Sequence, residues 1–140
     1  MRKVYLDNAA TTQMRPEVID EMIKVASEDY GNASSSHSFG RSAKNVVELS
    51  RKSIARQLNA NAREIIFTSG GTEADNFVIF SCVKQLKVER IITSKIEHHA
   101  VLHAVEAVAD QFGTQVDYVK VNPSGQIDIM HLAELLSDNK

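Results

Sequence analysis

The stretch Phe67-Thr68-Ser69-Gly70-Gly71-Thr72-Glu73-Ala74-Asp75-Asn76 decides the reading of this chain. Before it, Ile65-Ile66-Phe67-Thr68 is β-branched and aromatic, and residues 64–68 read as a buried strand. The run stops at two glycines, and an amphipathic helix is expected from Thr72. A strand that feeds a glycine turn and then a helix start builds an anion site. The first amides of a helix have no internal partner, and the helix dipole adds partial positive charge there. Gly70 and Gly71 let backbone approach an anion without a Cβ in the way. Thr72 can cap the helix and offer a hydroxyl. A phosphate group suits these donors, while an ordinary βα turn with glycines for tight packing explains the pattern equally well. Gly-Lys-Ser/Thr and G-x-G-x-x-G are both absent, which excludes the nucleotide P-loop and the dinucleotide fingerprint.

Working outward, the chain alternates strand and helix beyond residue 63. A helix is expected over 72–87, a strand over 90–93 and a helix over 98–112 closed by Gly113. In that helix Ala100, Val101, Ala104, Val105 and Val108 face inward. A strand over 116–121, a short extended piece at 127–129 and a last helix through Leu132, Leu135 and Leu136 follow. Repeated βα units predict an α/β domain with a largely parallel sheet flanked by helices. Towards the N-terminus, Val4-Tyr5-Leu6 is strand-like and Asp7-Asn8-Ala9-Ala10-Thr11-Thr12 is loop, where Asp7 and Asn8 can serve a tight turn. Pro16 opens a helix that runs to about Tyr30. A turn-rich segment, Gly31 to Ser36, follows, and within it the run Ser34-Ser35-Ser36 reads as a flexible connection. A second helix carries Ala43, Val46, Val47, Ile54 and Leu58 on one face. One partial domain is expected, with an arm and helices over 1–62 and βα units over 63–140.

The totals narrow the function classes. The chain has 140 residues, 16 Lys and Arg against 18 Asp and Glu, and a net charge of −2, so it lacks the basic footprint of a nucleic-acid binder. No membrane-spanning run or leader pattern is expected. The single Cys82 excludes an internal disulfide and fits a reducing, cytoplasmic compartment. Between Phe80 and Val83, Cys82 reads as a buried structural thiol. His99 and His103 have zinc-ligand spacing, but no third ligand matches, so no metal site is expected. Glu97 can orient a histidine, or simply suit a helix start. Asp75, three residues after Thr72, suits a capping contact better than catalysis.

Four segments, in order, resemble one family. They are Tyr5-Leu6-Asp7-Asn8-Ala9-Ala10-Thr11-Thr12, Gly31-Asn32-Ala33-Ser34-Ser35-Ser36-His37, the stretch from Phe67 to Asn76, and Ser94-Lys95-Ile96-Glu97-His98-His99-Ala100-Val101. The chain resembles the N-terminal portion of cysteine desulfurases, in their NifS/IscS-like branch. These are class V aminotransferase-type enzymes of fold type I that use pyridoxal 5′-phosphate (PLP). The resemblance implies the fold type I large domain. It implies that Gly71 and Thr72 hold the cofactor phosphate and that His98 stacks on the pyridine ring as the catalytic histidine. It also implies that Asn8, Ala9, Ala10 and Thr11 line the substrate side, and that His37 lies near a dimer interface. L-cysteine is the implied substrate, giving L-alanine and an enzyme persulfide. A homodimer and a scaffold or sulfur-acceptor protein are the implied partners, in iron–sulfur cluster assembly or tRNA thiolation.

The chain departs from the family in what residues 1–140 contain. The Ser-x-His-Lys context of the cofactor lysine, the Asp for the pyridinium nitrogen, the substrate-binding Arg and the mobile-loop Cys are expected in a segment these residues do not include. Neither Lys95 nor Cys82 matches those motifs. The 140 residues on their own are therefore expected to be inactive. A selenocysteine lyase, another class V aminotransferase, or a non-catalytic piece that pairs with a partner chain remain the alternatives.

Overall fold

The computed structural model describes residues 3–138. Two compact units divide the chain, Met1–Ile66 and Phe67–Lys140.

In the first unit, α1 spans Pro16–Glu28 and α2 spans Ser38–Gln57. Proline at the start of α1 is where its missing N–H costs nothing. The expected face of α2 is only partly covered. Ala43 and Ala55 are buried, whereas Val47, Ile54 and Leu58 stay exposed. An apolar groove of about 570 Å³ runs between Val18, Met22, Val25 and Ala26 of α1 and Val46 of α2.

The segment before α2 is a bonded turn rather than a flexible connection. The Asn32 side chain accepts the Ser34 amide at 2.9 Å, and its carbonyl accepts the Ser35 amide at 2.9 Å. His37 caps α2, its Nδ1 accepting from the Gly40 amide at 3.4 Å. Glycine is needed at two places here. A Cβ on Gly40 would lie 2.3 Å from the Ser35 carbonyl oxygen, and one on Gly31 would lie 2.4 Å from that of Phe39. Turn and helix thus interlock backbone to backbone, with the Tyr30 and Phe39 rings 5.7 Å apart beside them.

Two expected strands do not form. Val4, Tyr5 and Leu6 are exposed and outside any ladder. Residues 64–68 begin in a 3-10 turn, Ala62–Glu64, after which Ile65 is extended, and no strand is assigned. The Arg51 guanidinium takes up the Ile65 carbonyl. A β-branched run becomes a strand only when another strand lies beside it, and among the described residues none does so here.

In the second unit, α3 is Gly71–Lys84, β1 Arg90–Ser94, α4 His99–Phe112, β2 Gln115–Val119 and α5 Ile129–Ser137. The architecture is α/β, with β1 and β2 paired in parallel and helices flanking them. The register matches Arg90 with Gln115 and Ser94 with Val119. A parallel pair needs a crossover, and α4 supplies it. Its inward stripe is the core: Ala100, Ala104, Val105 and Val108 are buried, with Val83 of α3 and Val119 of β2. Gly113 ends α4 in the left-handed conformation, φ 70°. The helix expected to reach residue 87 stops at Lys84, and Lys87 turns left-handed at φ 57°. The third expected strand ends early, and Val121 makes a lone antiparallel bridge to Ile127.

Arg90 fastens α5 to the sheet. Its Nε lies 2.5 Å from Asp117 of β2, and it donates to the Leu135 and Asp138 carbonyls at 2.8 and 2.7 Å. Those carbonyls belong to the unsatisfied end of α5. The pairing with Arg90, above all its hydrogen bond, holds the Asp117 carboxyl below its ordinary value.

Candidate functional site

The start of α3 forms directly after the turn at Ser69-Gly70. Gly70 is the N-cap, with φ 169° and ψ 179°, which is extended backbone. The helix therefore starts one residue before the expected Thr72. Thr72 is its second residue and caps nothing, nor does Asp75 answer it. The helix gets its side-chain contact from Glu73, whose carboxylate accepts the Ser69 amide at 2.6 Å. A carboxylate beside the positive end of a helix is favourable, and Ser69 offers a donor within reach. That backbone bond, and secondly the Ser69 hydroxyl, hold the Glu73 carboxyl below its ordinary value. The spacing Ser69-x-x-x-Glu73 was the signal for this contact.

The Ser69 amide is thus occupied. The first amide bonded inside the helix is that of Ala74, which donates to the Gly70 carbonyl at 3.2 Å. The amides of Gly71, Thr72 and Glu73 precede it and have no intrahelical acceptor. No hydrogen bond among the described residues takes the Thr72 hydroxyl. Its carbonyl accepts from the Asn76 side chain at 2.8 Å. A Cβ placed on Gly70 or Gly71 would meet nothing within 4 Å. The glycines are therefore not required for packing among the described residues. Free amides, a hydroxyl, a helix dipole and open space form a donor set that fits a phosphate dianion.

His98 is the N-cap of α4. Its Nδ1 accepts from the Ala100 amide at 3.1 Å, and its ring is exposed. The preceding loop is tied at both ends. Ser94, 2% exposed, donates its hydroxyl to Glu97 at 3.3 Å. Lys95 lies over the Tyr118 ring, 5.7 Å from its centre. The shallow groove at Thr72 is walled by Ser69, Glu73, Asn76, Phe77 and Phe80. The structure thus puts both residues at helix N-termini of one unit, and His98 is not among the residues that wall the groove at Thr72.

Asn8, Ala9, Ala10 and Thr11 belong to the first unit. They form an exposed turn in which the Asp7 carbonyl accepts the Ala10 and Thr11 amides, at 3.1 and 3.3 Å. Cys82 is half-buried on α3, not fully enclosed as expected, because the helix around it buries only Val83. The His99 and His103 rings stack 5.7 Å apart. Among the described residues no group of three or more His, Cys, Asp or Glu is placed to hold a metal ion. Among them, too, no helix is long and apolar enough to cross a membrane.

Comparison with known proteins defines the class. The aminotransferase class-V family profile matches residues 4–140, and the chain belongs to that family. Within it, the chain is 40% identical over 139 residues to the cysteine desulfurase IscS of Clostridium botulinum, covering 98% of this chain and 35% of that protein. A solved NifS-like protein superposes with a TM-score of 0.89 at 35% identity, over 96% of this chain and 37% of its own. The protein SspA, solved in complex with cysteine, superposes with a TM-score of 0.77 at 31% identity, over 90% and 37%. The chain thus spans about a third of the length of the relatives it matches.

Proposed function

We propose that these residues are the cofactor-phosphate portion of a PLP-dependent cysteine desulfurase. The whole enzyme would take sulfur from L-cysteine, leaving L-alanine and a persulfide for a scaffold or acceptor protein in iron–sulfur cluster assembly or tRNA thiolation. A cytoplasmic homodimer is part of the same reading. The observation that carries it is the start of α3, where Gly71 and Thr72 present unused amides beneath open space.

PLP, when bound, would supply the electron sink for cleavage of the C–S bond. This chain's own residues would do the holding. Gly71 and Thr72 amides and the Thr72 hydroxyl would bind the phosphate, and the dipole of α3 would favour its charge. Glu73 would keep the turn in shape by fixing the Ser69 amide, at the expense of one donor. His98 would lay a flat ring against the cofactor, and residues 8–11 would border the substrate.

The test is Gly71→Asp. An acidic residue in the first helical turn suits the dipole, so far-UV circular dichroism should be unchanged. A carboxylate at the phosphate position should abolish the shift and broadening of the PLP phosphate resonance in phosphorus NMR. Imines formed non-specifically on surface lysines leave the phosphate free, so this signal is not confounded by them. A phosphate resonance perturbed equally by both proteins would sink the assignment.

A further inference from the structure

We infer that His98 carries its imidazole proton on Nε2, so that it presents an N–H donor on the edge turned away from α4. The inference concerns the same site and rests, for its catalytic meaning, on the cofactor reading above. A neutral imidazole has one N–H and one lone-pair nitrogen. The Ala100 amide donates to Nδ1 at 3.1 Å, so Nδ1 is the lone-pair nitrogen. The proton is then on Nε2, the nitrogen turned away from the helix. The backbone supports this choice. His98 sits at φ −61° and ψ 147°, an N-cap conformation in which a side-chain acceptor meets the first free amides. The Ser94–Glu97 bond restrains the loop immediately before it. His37 makes a similar contact at the start of α2, but at 3.4 Å, so the shorter bond is the one in the motif that carries the proposed ring stack.

A mechanistic constraint follows. In that tautomer His98 gives a hydrogen bond from Nε2, and its one in-plane lone pair, on Nδ1, is engaged by the Ala100 amide. To take up a proton, Nδ1 must release the Ala100 amide and α4 must lose its cap. Any proton relay through His98 is thereby coupled to the first turn of α4, and the Ala100 amide is a positioning group for it.

The experiment uses the full 140-residue chain, without cofactor, with nitrogen-labelled histidine. His98→Asn assigns the His98 signals by their disappearance. Nδ1 should resonate in the unprotonated, pyridine-like range and Nε2 in the pyrrole-like range. A protonated Nδ1, or two averaged nitrogens, overturns the inference. Amide exchange at Ala100 gives a second readout. His98→Asn retains a good capping acceptor, whereas His98→Phe keeps a flat ring and loses it. Exchange should quicken about fivefold in the Phe variant, the change expected of a cap of ordinary strength, and stay close to the parent in the Asn variant. Equal exchange in all three chains also overturns it. Failure of the cofactor reading is distinguishable. A fixed Nε2–H tautomer in a chain that leaves the PLP phosphate resonance unperturbed preserves the cap and removes the cofactor.

Discussion

Replacing Gly40 by alanine tests whether the turn before α2 is locked to the helix. At an exposed helical position Gly→Ala is stabilising, by about 1 kcal/mol. The geometry at Gly40 reverses the sign. Its Cβ would sit 2.3 Å from the Ser35 carbonyl oxygen, 2.7 Å from that of Asn32 and 2.7 Å from the Ser35 Cβ. Two of these atoms are backbone of a hydrogen-bonded turn and cannot rotate away. Overpacking of this kind costs about 1–3 kcal/mol, and rigid neighbours put this site in the upper half of that range. Moving the strand of chain aside also stretches the His37–Gly40 cap, worth about 1 kcal/mol. Gain and cap loss cancel, leaving a net destabilisation of about 2 kcal/mol. Urea denaturation followed by far-UV circular dichroism should show a lower midpoint with an unchanged slope. Near-UV dichroism should weaken as the Tyr30–Phe39 pair separates. A midpoint equal to or above that of the parent would refute the interlock.

Asp117 has its carboxyl held low by Arg90, so the unfolded chain binds its proton first as pH falls. Its stabilising contribution is fully present above the ordinary aspartate value and is lost as pH drops through the lowered one. Asp117→Asn should flatten the acid limb of a stability–pH curve, and an unchanged limb would contradict the Arg90 clamp. Cys82, being half-buried, should react with a thiol reagent in the native chain, more slowly than in urea; complete protection would restore the enclosed-thiol reading. Incubated with PLP, L-cysteine and a reductant, residues 1–140 should release alanine no faster than PLP alone. Release above that background, abolished by Cys82→Ala, would overturn both this expectation and the structural reading of Cys82.

How far the sequence foretold the fold depended on whether an element's partners lie within these residues. The βαβ unit from Arg90 to Val119 was legible because periodicity, Gly113 and strand composition agree with one another. The core stripe of α4 was legible for the same reason, since Ala100, Ala104, Val105 and Val108 recur at helical spacing and end up buried. Ile65-Ile66-Phe67-Thr68 has equally strong β composition and yet stays outside any ladder. β-propensity expresses fit to a neighbouring strand more than a preference of the backbone itself. Ile66 and Phe67 accordingly remain 59% and 48% exposed. Likewise Val47, Ile54 and Leu58 keep a helical spacing that the described residues of the first unit cover only in part. Periodicity reports what a face is suited to bury, and only a partner buries it.

The candidate site was legible where backbone supplies the chemistry and opaque where side chains choose among partners. A strand-like run, two glycines and a helix start point to free amides whatever the side chains do, and Gly71 and Thr72 have them. Which residue completes the turn depends on reach. Thr72 and Asp75 matched a capping pattern counted from the wrong first residue, and the helix began at Gly71 instead. Shifting that origin by one residue hands the capping contact to Glu73, whose longer side chain returns to Ser69. The same competition acts at His98. As a motif residue it is a ring that could face a cofactor, but as the N-cap of α4 it is first an acceptor for Ala100. The two roles are compatible because imidazole has two nitrogens on different edges. One satisfies the helix, and the other remains to meet whatever lies beyond it.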